Sequence, residues 1–111
     1  MKVLLDHCVD IRFDRLISGH EVVHTRQLGW QQLSNGKLLL AAEEGGFTVF
    51  VTVDKNVRFQ QNMAKKNISL VTLSSRLTGF DQIAPLADQL VEILERDISP
   101  GSDIVVSPTG D

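Results

Sequence analysis

The feature that most constrains the fold of this chain is the alternation of short, apolar, often β-branched runs with segments of helical spacing. The runs predicted to form strands are residues 2–7, 21–25, 47–53, 68–73 and 103–107. The segments predicted to form helices between them are residues 10–18, 37–44, 56–66 and 81–97. Because alternating strands and helices build right-handed β-α-β units, the sequence predicts an α/β fold around a mostly parallel sheet.

The length and the composition favour a single globular domain. With 111 residues the chain has no room for a second core, so we expect one domain over residues 1–107 and a frayed tail over 108–111. A hydrophobic fraction of 42% and a charged fraction of 23% argue against disorder. No apolar run reaches the roughly 20 residues that cross a bilayer, and Asp6 comes too early for a signal peptide. The lone cysteine, Cys8, fits a reducing cytoplasm.

The formal net charge of −3 bears on the choice of partner. Non-specific nucleic-acid binding draws most of its affinity from displaced phosphate counterions, which requires a basic surface. The charge therefore argues against a dedicated DNA-binding module but leaves open a nuclease whose acidic site is neutralised by a metal. The chain also lacks a dinucleotide or Walker-type Gly-rich loop, a zinc-binding cysteine pair and a nucleophile elbow, which argues against nucleotide-cofactor enzymes and serine hydrolases.

Two aspartates, Asp6 and Asp54, come directly after predicted buried strands. In open parallel sheets, ligands bind outside the carboxyl ends of the strands, near the point where the strand order reverses. Two neighbouring carboxylates favour a cation between them, and their oxygens suit Mg²⁺ or Mn²⁺. Such a metal activates water against a phosphoryl group, which is nuclease chemistry. The alternative is that both aspartates cap helices on βα loops, and their positions alone do not decide between the two.

Basic and amide side chains follow Asp54. Lys55 and Arg58 are predicted in the first turn of the next helix, beside the proposed metal, where a phosphate backbone would run. Gln61 and the amides beside it can donate to phosphate or sugar, and they can equally brace neighbouring loops.

His7 and Cys8 stand next to Asp6 and could suggest a transition-metal site. Successive strand residues point to opposite faces, however, so both cannot reach one ion without a bend. We therefore assign Cys8 to packing and His7 to a loop. Trp30, the only tryptophan, is assigned to the edge of the core.

Three motifs recur together in one known protein family. They are Leu4-Leu5-Asp6, the stretch over residues 33–39, and residues 51–56 followed by Gln60-Gln61-Asn62. On these motifs the chain resembles the small PIN-like proteins of the DUF5615 family, which are related to the VapC-type toxin ribonucleases and to the Mut7-C domain. The resemblance covers residues 1 to about 74, and the remainder agrees in pattern only.

The resemblance implies a PIN-like three-layer α/β/α sandwich with a central, mostly parallel sheet. It also implies a metal-dependent endoribonuclease, often the toxin of a toxin–antitoxin pair. Carried over by position, the family's acidic residues fall on Asp6 and Asp54, which would be the catalytic ligands of Mg²⁺ or Mn²⁺.

The chain departs from the family pattern at a third acidic position, where Asn35, Gly36 and Lys37 stand instead. Asn35 could supply a neutral oxygen as an additional metal ligand, whereas the Lys37 ammonium opposes a cation and attracts phosphate. The side chains expected to position RNA are Lys37, Lys55, Arg58 and Gln61. Two functions stay open: a metal-dependent ribonuclease, and a catalytically silent PIN-like module that acts through protein–protein interaction, either with an antitoxin-like protein or with a second copy of itself. A homodimer is expected in either case, because so small a sheet has exposed edges.

Overall fold

Five parallel strands form one sheet in the computed structural model, which describes residues 1–96 and 98–108. They are β1 (Lys2–Leu5), β2 (Glu21–His24), β3 (Val49–Thr52), β4 (Ser69–Leu73) and β5 (Asp103–Val106). The order across the sheet is β2-β1-β3-β4-β5, and every neighbouring pair is parallel. The predicted α/β class is confirmed, and the sheet is parallel throughout. Apart from Pro108, the expected frayed tail lies outside the described residues.

Short helical segments connect these strands. The described α-helices are α1 (Asn35–Glu44), α2 (Val57–Gln60), α3 (Phe80–Ile83) and α4 (Ala87–Leu94). The described 3₁₀ segments are Ile11–Leu16, Thr25–Leu28, Met63–Lys65 and Ala84–Leu86. Among the residues that the structure describes, no helix combines the length and the apolarity needed to cross a membrane.

The two faces of the sheet build two separate cores. On one face, Val3 and Val49 pack with Phe13 and with the apolar sides of α3 and α4. On the other face, Leu4 and Phe50 pack with α1, α2 and the Met63–Lys65 turn. Because successive strand residues point to opposite faces, the helices cover both sides of the sheet. This double burial explains why β3 and β4 are buried at every residue and read as continuous apolar runs.

The single helix predicted over residues 56–66 is wrong. α2 ends at Gln60, Gln61 has an extended backbone with φ −119° and ψ 135°, and a 3₁₀ turn begins at Met63. Val57 and Met63 are both buried, but six positions apart they cannot share one face of a helix with about 3.6 residues per turn. The chain breaks the helix and thereby buries both side chains.

The helix predicted over residues 81–97 is also interrupted. Its first segment, α3, begins one residue earlier than predicted, at Phe80, and ends at Ile83, and Pro85 falls at the start of the segment that follows. Proline lacks an N–H and its ring clashes with the carbonyl four residues back, and the chain forms a 3₁₀ turn there before α4. The described part of α4 ends at Leu94, and the predicted end at Asp97 lies outside the described residues.

A capped 3₁₀ turn, Thr25–Leu28, follows β2 directly. His24 Nδ1 accepts the backbone N–H of Arg26 at 3.2 Å, and Gln27 Oε1 accepts the backbone N–H of His24 at 2.9 Å. Gly29, with φ 70°, ends the turn in the left-handed conformation that glycine tolerates best. His24 therefore fixes the exit of β2, as a buried structural histidine.

Candidate functional site

The sheet reverses its strand order at β1, because β2 lies on one side of it and β3 on the other. Asp6 follows β1, and its backbone N–H donates to the carbonyl of Val51 in β3 at 2.9 Å. Asp54 lies just past the end of β3, which ends at Thr52. Both aspartates therefore lie at the edge where sheets of this class bind their ligands.

Asp6 is only 2% exposed, and protein donors surround its carboxylate. Oδ1 accepts the backbone N–H of His7 at 2.8 Å and lies 3.0 Å from His7 Nδ1. Oδ2 accepts the hydroxyl of Thr52 at 2.8 Å and the thiol of Cys8 at 3.4 Å. Three hydrogen bonds and the His7 Nδ1 contact therefore surround the two carboxylate oxygens of Asp6.

Thr52 joins the two aspartates. While its hydroxyl donates to Asp6, it accepts the backbone N–H of Asp54 at 3.0 Å. The half-buried Asp54 in turn accepts the backbone N–H of Asn56 on Oδ1 at 2.9 Å, which forms an Asx turn at the entry to α2. The structure thus brings Asp6 and Asp54 together through one threonine hydroxyl.

His7 and Cys8 take part in this network in a way that the sequence did not predict. The chain turns immediately after β1, with the backbone N–H of Val9 donating to the carbonyl of Asp6 at 3.0 Å, so both side chains reach the same carboxylate. Burial raises the pKa of the Cys8 thiol, and the charge of Asp6 raises this pKa further. The thiol therefore keeps its proton and acts as a donor. No glycine or proline marks this turn in the sequence.

The residues at the third acidic position lie at the start of α1. The helix begins at Asn35, two residues before the predicted start, and the Ser34 side chain makes no capping hydrogen bond. Asn35 is half-buried and Lys37 is exposed. Within the described chain, neither makes a hydrogen bond or an ion pair with the aspartate network.

Gln61 lies beside this start of α1. A Cβ placed on Gly36 would stand 3.9 Å from both terminal atoms of the Gln61 side chain. The break between α2 and the following 3₁₀ turn is what directs Gln61 away from a regular helix. Two of the predicted site segments, at Gly36 and at Gln61, are therefore close in space.

Lys55 and Arg58 lie toward the other end of the sheet edge. Arg58 Nε donates to the two carboxylate oxygens of Asp103 at 3.1 Å and 3.3 Å, and its guanidinium lies 5.1 Å from the centre of the Phe59 ring. Lys55 and Arg58 line a hollow of about 180 Å³ whose floor is formed by β4 and β5. The structure places both cations beside the outer strands and not beside β1.

A larger cleft of about 360 Å³ opens between the loops that follow β1, β2 and β4. Two of its ionisable groups, Asp10 and His24, are hydrogen-bonded to neighbours. The side chain and backbone of Arg12 donate to Asp10 and lower the pKa of that carboxyl to about 2. His24 Nδ1 accepts a backbone N–H, so Nε2 is the ring nitrogen that donates to the carbonyl of Val9, at 2.8 Å.

The expected Mg²⁺ or Mn²⁺ site stays a prediction from the sequence, and in this structure both carboxylate oxygens of Asp6 already accept hydrogen bonds from protein groups. Over residues 1–96 and 98–108, the histidine, cysteine and acidic side chains form no group of three that could hold a metal. Protein sites for these ions depend on carboxylate oxygens, and those of Asp6 are taken by His7, Cys8 and Thr52.

The fold and this edge define the protein as an α/β protein with a doubly wound, all-parallel sheet. The chain matches no protein-family model, no curated protein and no solved structure. The PIN-like resemblance, together with the roles that it implies for individual residues, therefore stays a prediction from the sequence.

Proposed function

We propose that the chain is a catalytically silent PIN-like module that works by binding a protein partner. The observation that carries this proposal is the closed state of Asp6, whose two oxygens accept three hydrogen bonds and whose Oδ1 also lies 3.0 Å from His7 Nδ1. A catalytic carboxylate must offer a lone pair to a metal, a water or a substrate, whereas both oxygens of Asp6 are engaged by protein groups in this arrangement. Lys37, where the family carries an acid, supports the same conclusion.

Exposed apolar side chains on the loops around this edge support a protein partner. Four of these side chains are exposed by 44%, 39%, 37% and 61%: Ile11, Leu28, Leu33 and Leu77. Single exposed leucines are ordinary, but their recurrence on loops that follow β1, β2 and β4 is typical of a surface that a partner covers. The proposed partners are a second copy of the chain and an antitoxin-like protein.

Sedimentation velocity tests the homodimer. We expect the purified protein to sediment as a dimer at micromolar concentration and Leu77→Asp to sediment as a monomer. The matched control is Leu40→Asp, because Leu40 is 55% exposed on α1, away from these loops, and this variant should remain dimeric. A monomeric wild-type protein contradicts self-association, and co-purification with the product of an adjacent reading frame then tests the antitoxin-like partner.

A metal-dependent endoribonuclease is the second proposal, and one observation favours it. Asp6 and Asp54 share the Thr52 hydroxyl at the point where the strand order reverses, which is where an acidic site would lie. In this version, Asn35 would be an additional metal ligand. The residues that would position RNA are Lys37, Lys55, Arg58 and Gln61.

Incubation with single-stranded RNA and Mn²⁺ separates the two proposals. The variants are Asp54→Asn and, as a matched control, Asp81→Asn on α3. The silent module predicts the same background cleavage for wild type and both variants. Cleavage by wild type and by Asp81→Asn that disappears in Asp54→Asn would establish the ribonuclease.

A further inference from the structure

The hollow between α2 and the outer strands has a polar floor. Its lining is formed by Lys55, Arg58, Phe59, Thr72, Ser74 and Val105. Thr72 and Val105 are register partners on β4 and β5, so their side chains point to the same face of the sheet. This is the face that α2 covers, since Leu70, two residues earlier on β4, packs with Val57 in the same core.

The hydroxyl of Thr72 is buried without a partner. The residue is 1% exposed, and no described group hydrogen-bonds to its Oγ1. Nearly all buried hydroxyls in folded proteins are hydrogen-bonded, so an orphan that lines a hollow points to a ligand that completes it. Thr52, the register partner of Thr72 on β3, shows the contrast, because its hydroxyl both donates and accepts.

The other groups that line the hollow are mostly donors. Lys55 forms no ion pair with a described residue. Arg58 engages Asp103 through Nε alone, which leaves its two terminal amino groups available. The Ser74 hydroxyl adds a further donor. The hollow thus has two positively charged side chains, Lys55 and Arg58, and one nearby carboxylate, Asp103. Its net charge is positive although the chain as a whole is acidic, and a site of this kind favours an anion.

An aromatic ring stands at the rim of this hollow. Phe59 is 78% exposed, the most exposed large apolar side chain among the described residues, and its ring lies beside the Arg58 guanidinium. An exposed aromatic ring next to a cationic groove is the arrangement on which nucleobases stack.

We propose that the hollow binds a phosphate monoester that carries a nucleobase. The phosphate accepts from Lys55, from the terminal groups of Arg58 and from the Thr72 hydroxyl, and the base stacks on Phe59. This chemistry occurs in a free nucleoside monophosphate and at the phosphorylated end of an RNA strand. Asp6 and Asp54 take no part in this binding, which is separate from the partner binding proposed above.

Isothermal titration calorimetry with five probes tests the ligand class. The probes are AMP, inorganic phosphate, adenosine, and a short oligoribonucleotide with or without a 5′-phosphate. AMP should bind more tightly than phosphate, and adenosine at least about tenfold more weakly than AMP, since a hydrogen-bonded charge is lost. Displacement of AMP by only the phosphorylated oligonucleotide identifies an RNA end as the source, and failure of both oligonucleotides to displace it identifies the free nucleotide. Equal binding of AMP and adenosine, or no binding of any probe at millimolar concentration, overturns the proposal.

Variants of the hollow separate a ligand site from a structural feature. Thr72→Val keeps the shape and removes the orphan hydroxyl, so we expect the affinity for AMP to fall about tenfold while the free protein becomes more resistant to urea. Lys55→Met should weaken AMP and phosphate alike, and Phe59→Leu should abolish the advantage of AMP over phosphate. Lys65→Met, on a 3₁₀ turn outside the hollow, is the matched control with unchanged binding. Unchanged affinity in Thr72→Val and Lys55→Met contradicts the site.

Discussion

Thr52 and Thr72 occupy paired positions on neighbouring strands and use the same hydroxyl in opposite ways. The strand next to β3 on its inner side leads into Asp6, which gives Thr52 a buried carboxylate to bind. The strand next to β4 on its outer side places Val105 beside Thr72, and the valine side chain has no group that could hydrogen-bond to the Thr72 hydroxyl. One residue type is thus a structural link on β3 and a buried hydroxyl without a described partner on β4, and the neighbouring strand decides which.

At the residue scale, removal of the Thr52 hydroxyl should destabilise the protein. Thr52→Val takes one donor from the buried carboxylate of Asp6 and the acceptor from the Asp54 N–H, so we expect a loss of about 1–3 kcal/mol in the free energy of unfolding. Urea denaturation measures it. Thr48→Val is the matched control, because Thr48 is exposed and its hydroxyl makes only a long 3.4 Å contact; its change should stay within about 0.5 kcal/mol. Equal losses in the free energy of unfolding for Thr52→Val and Thr48→Val would contradict the role of the Thr52 hydroxyl in joining Asp6 to Asp54.

The Asp10–Arg12 ion pair predicts a pH dependence. The pKa of Asp10 in the folded protein, about 2, is below the ordinary 3.8, so the carboxylate stabilises the fold above about pH 4 and this contribution is lost as the pH falls through about 2. Asp10→Asn keeps a capping acceptor without the charge. The stability difference between wild type and Asp10→Asn should therefore shrink as urea denaturation is repeated from about pH 5 to about pH 2. A difference that is constant over this range would contradict the assignment.

At the scale of elements, the sequence predicts strands better than helices, for a physical reason. β3 and β4 are buried on both faces, so their apolar runs are visible without knowledge of their neighbours. The helical stretch after Asp54 depends instead on which side chains the sheet can bury. Val57 and Met63 are both buried, and nothing local in the sequence shows that the helix must break between them.

The connection into β5 supplies an element-scale prediction. Gly101 has φ 81°, and a Cβ there would stand 2.7 Å from the carbonyl oxygen of Met63. Gly19 has a similar φ of 82° but open space around it. Gly19→Ala should cost about 1–2 kcal/mol through the backbone alone, and Gly101→Ala at least about 1 kcal/mol more through the clash. Thermal or urea unfolding measures the difference in the free energy of unfolding. Equal losses in the two variants would contradict the clash and would show that the backbone at Gly101 shifts to accommodate a Cβ.

At the scale of the whole molecule, only part of the candidate site could be predicted. The rule that ligands bind at the carboxyl ends of parallel strands selects Asp6 and Asp54, and the observed strand order places both at the reversal point. The hydrogen-bond partners of Asp6 could not be predicted. Thr52 lies beside Asp6 because of the register between β1 and β3, and Cys8 contacts Asp6 because the chain turns at a point where the sequence has no glycine or proline. The pairing of Arg58 with a carboxylate 45 residues away is likewise a product of the fold.

The carboxyl edge of the sheet therefore has two different halves. Around β1 the polar groups are hydrogen-bonded to one another, with Asp6 at the centre. Around β4 and β5 the edge carries an open hollow with an unpaired hydroxyl and available cationic groups. Because Lys55 lies in the second half, beside the outer strands, the features expected of a single nuclease site are divided between the two.

Calorimetric titration with Mn²⁺ tests most directly whether the network that joins Asp6 and Asp54 through Thr52 is closed to a metal. Wild type and Asp54→Asn are titrated side by side at neutral pH, with Asp81→Asn as the control for a general loss of acidic charge. Because the oxygens of Asp6 are occupied, we predict that all three proteins bind Mn²⁺ no more tightly than about 1 mM and give the same heats. Binding tighter than about 0.1 mM by wild type and Asp81→Asn, abolished in Asp54→Asn, would contradict the closed carboxylate and favour the ribonuclease.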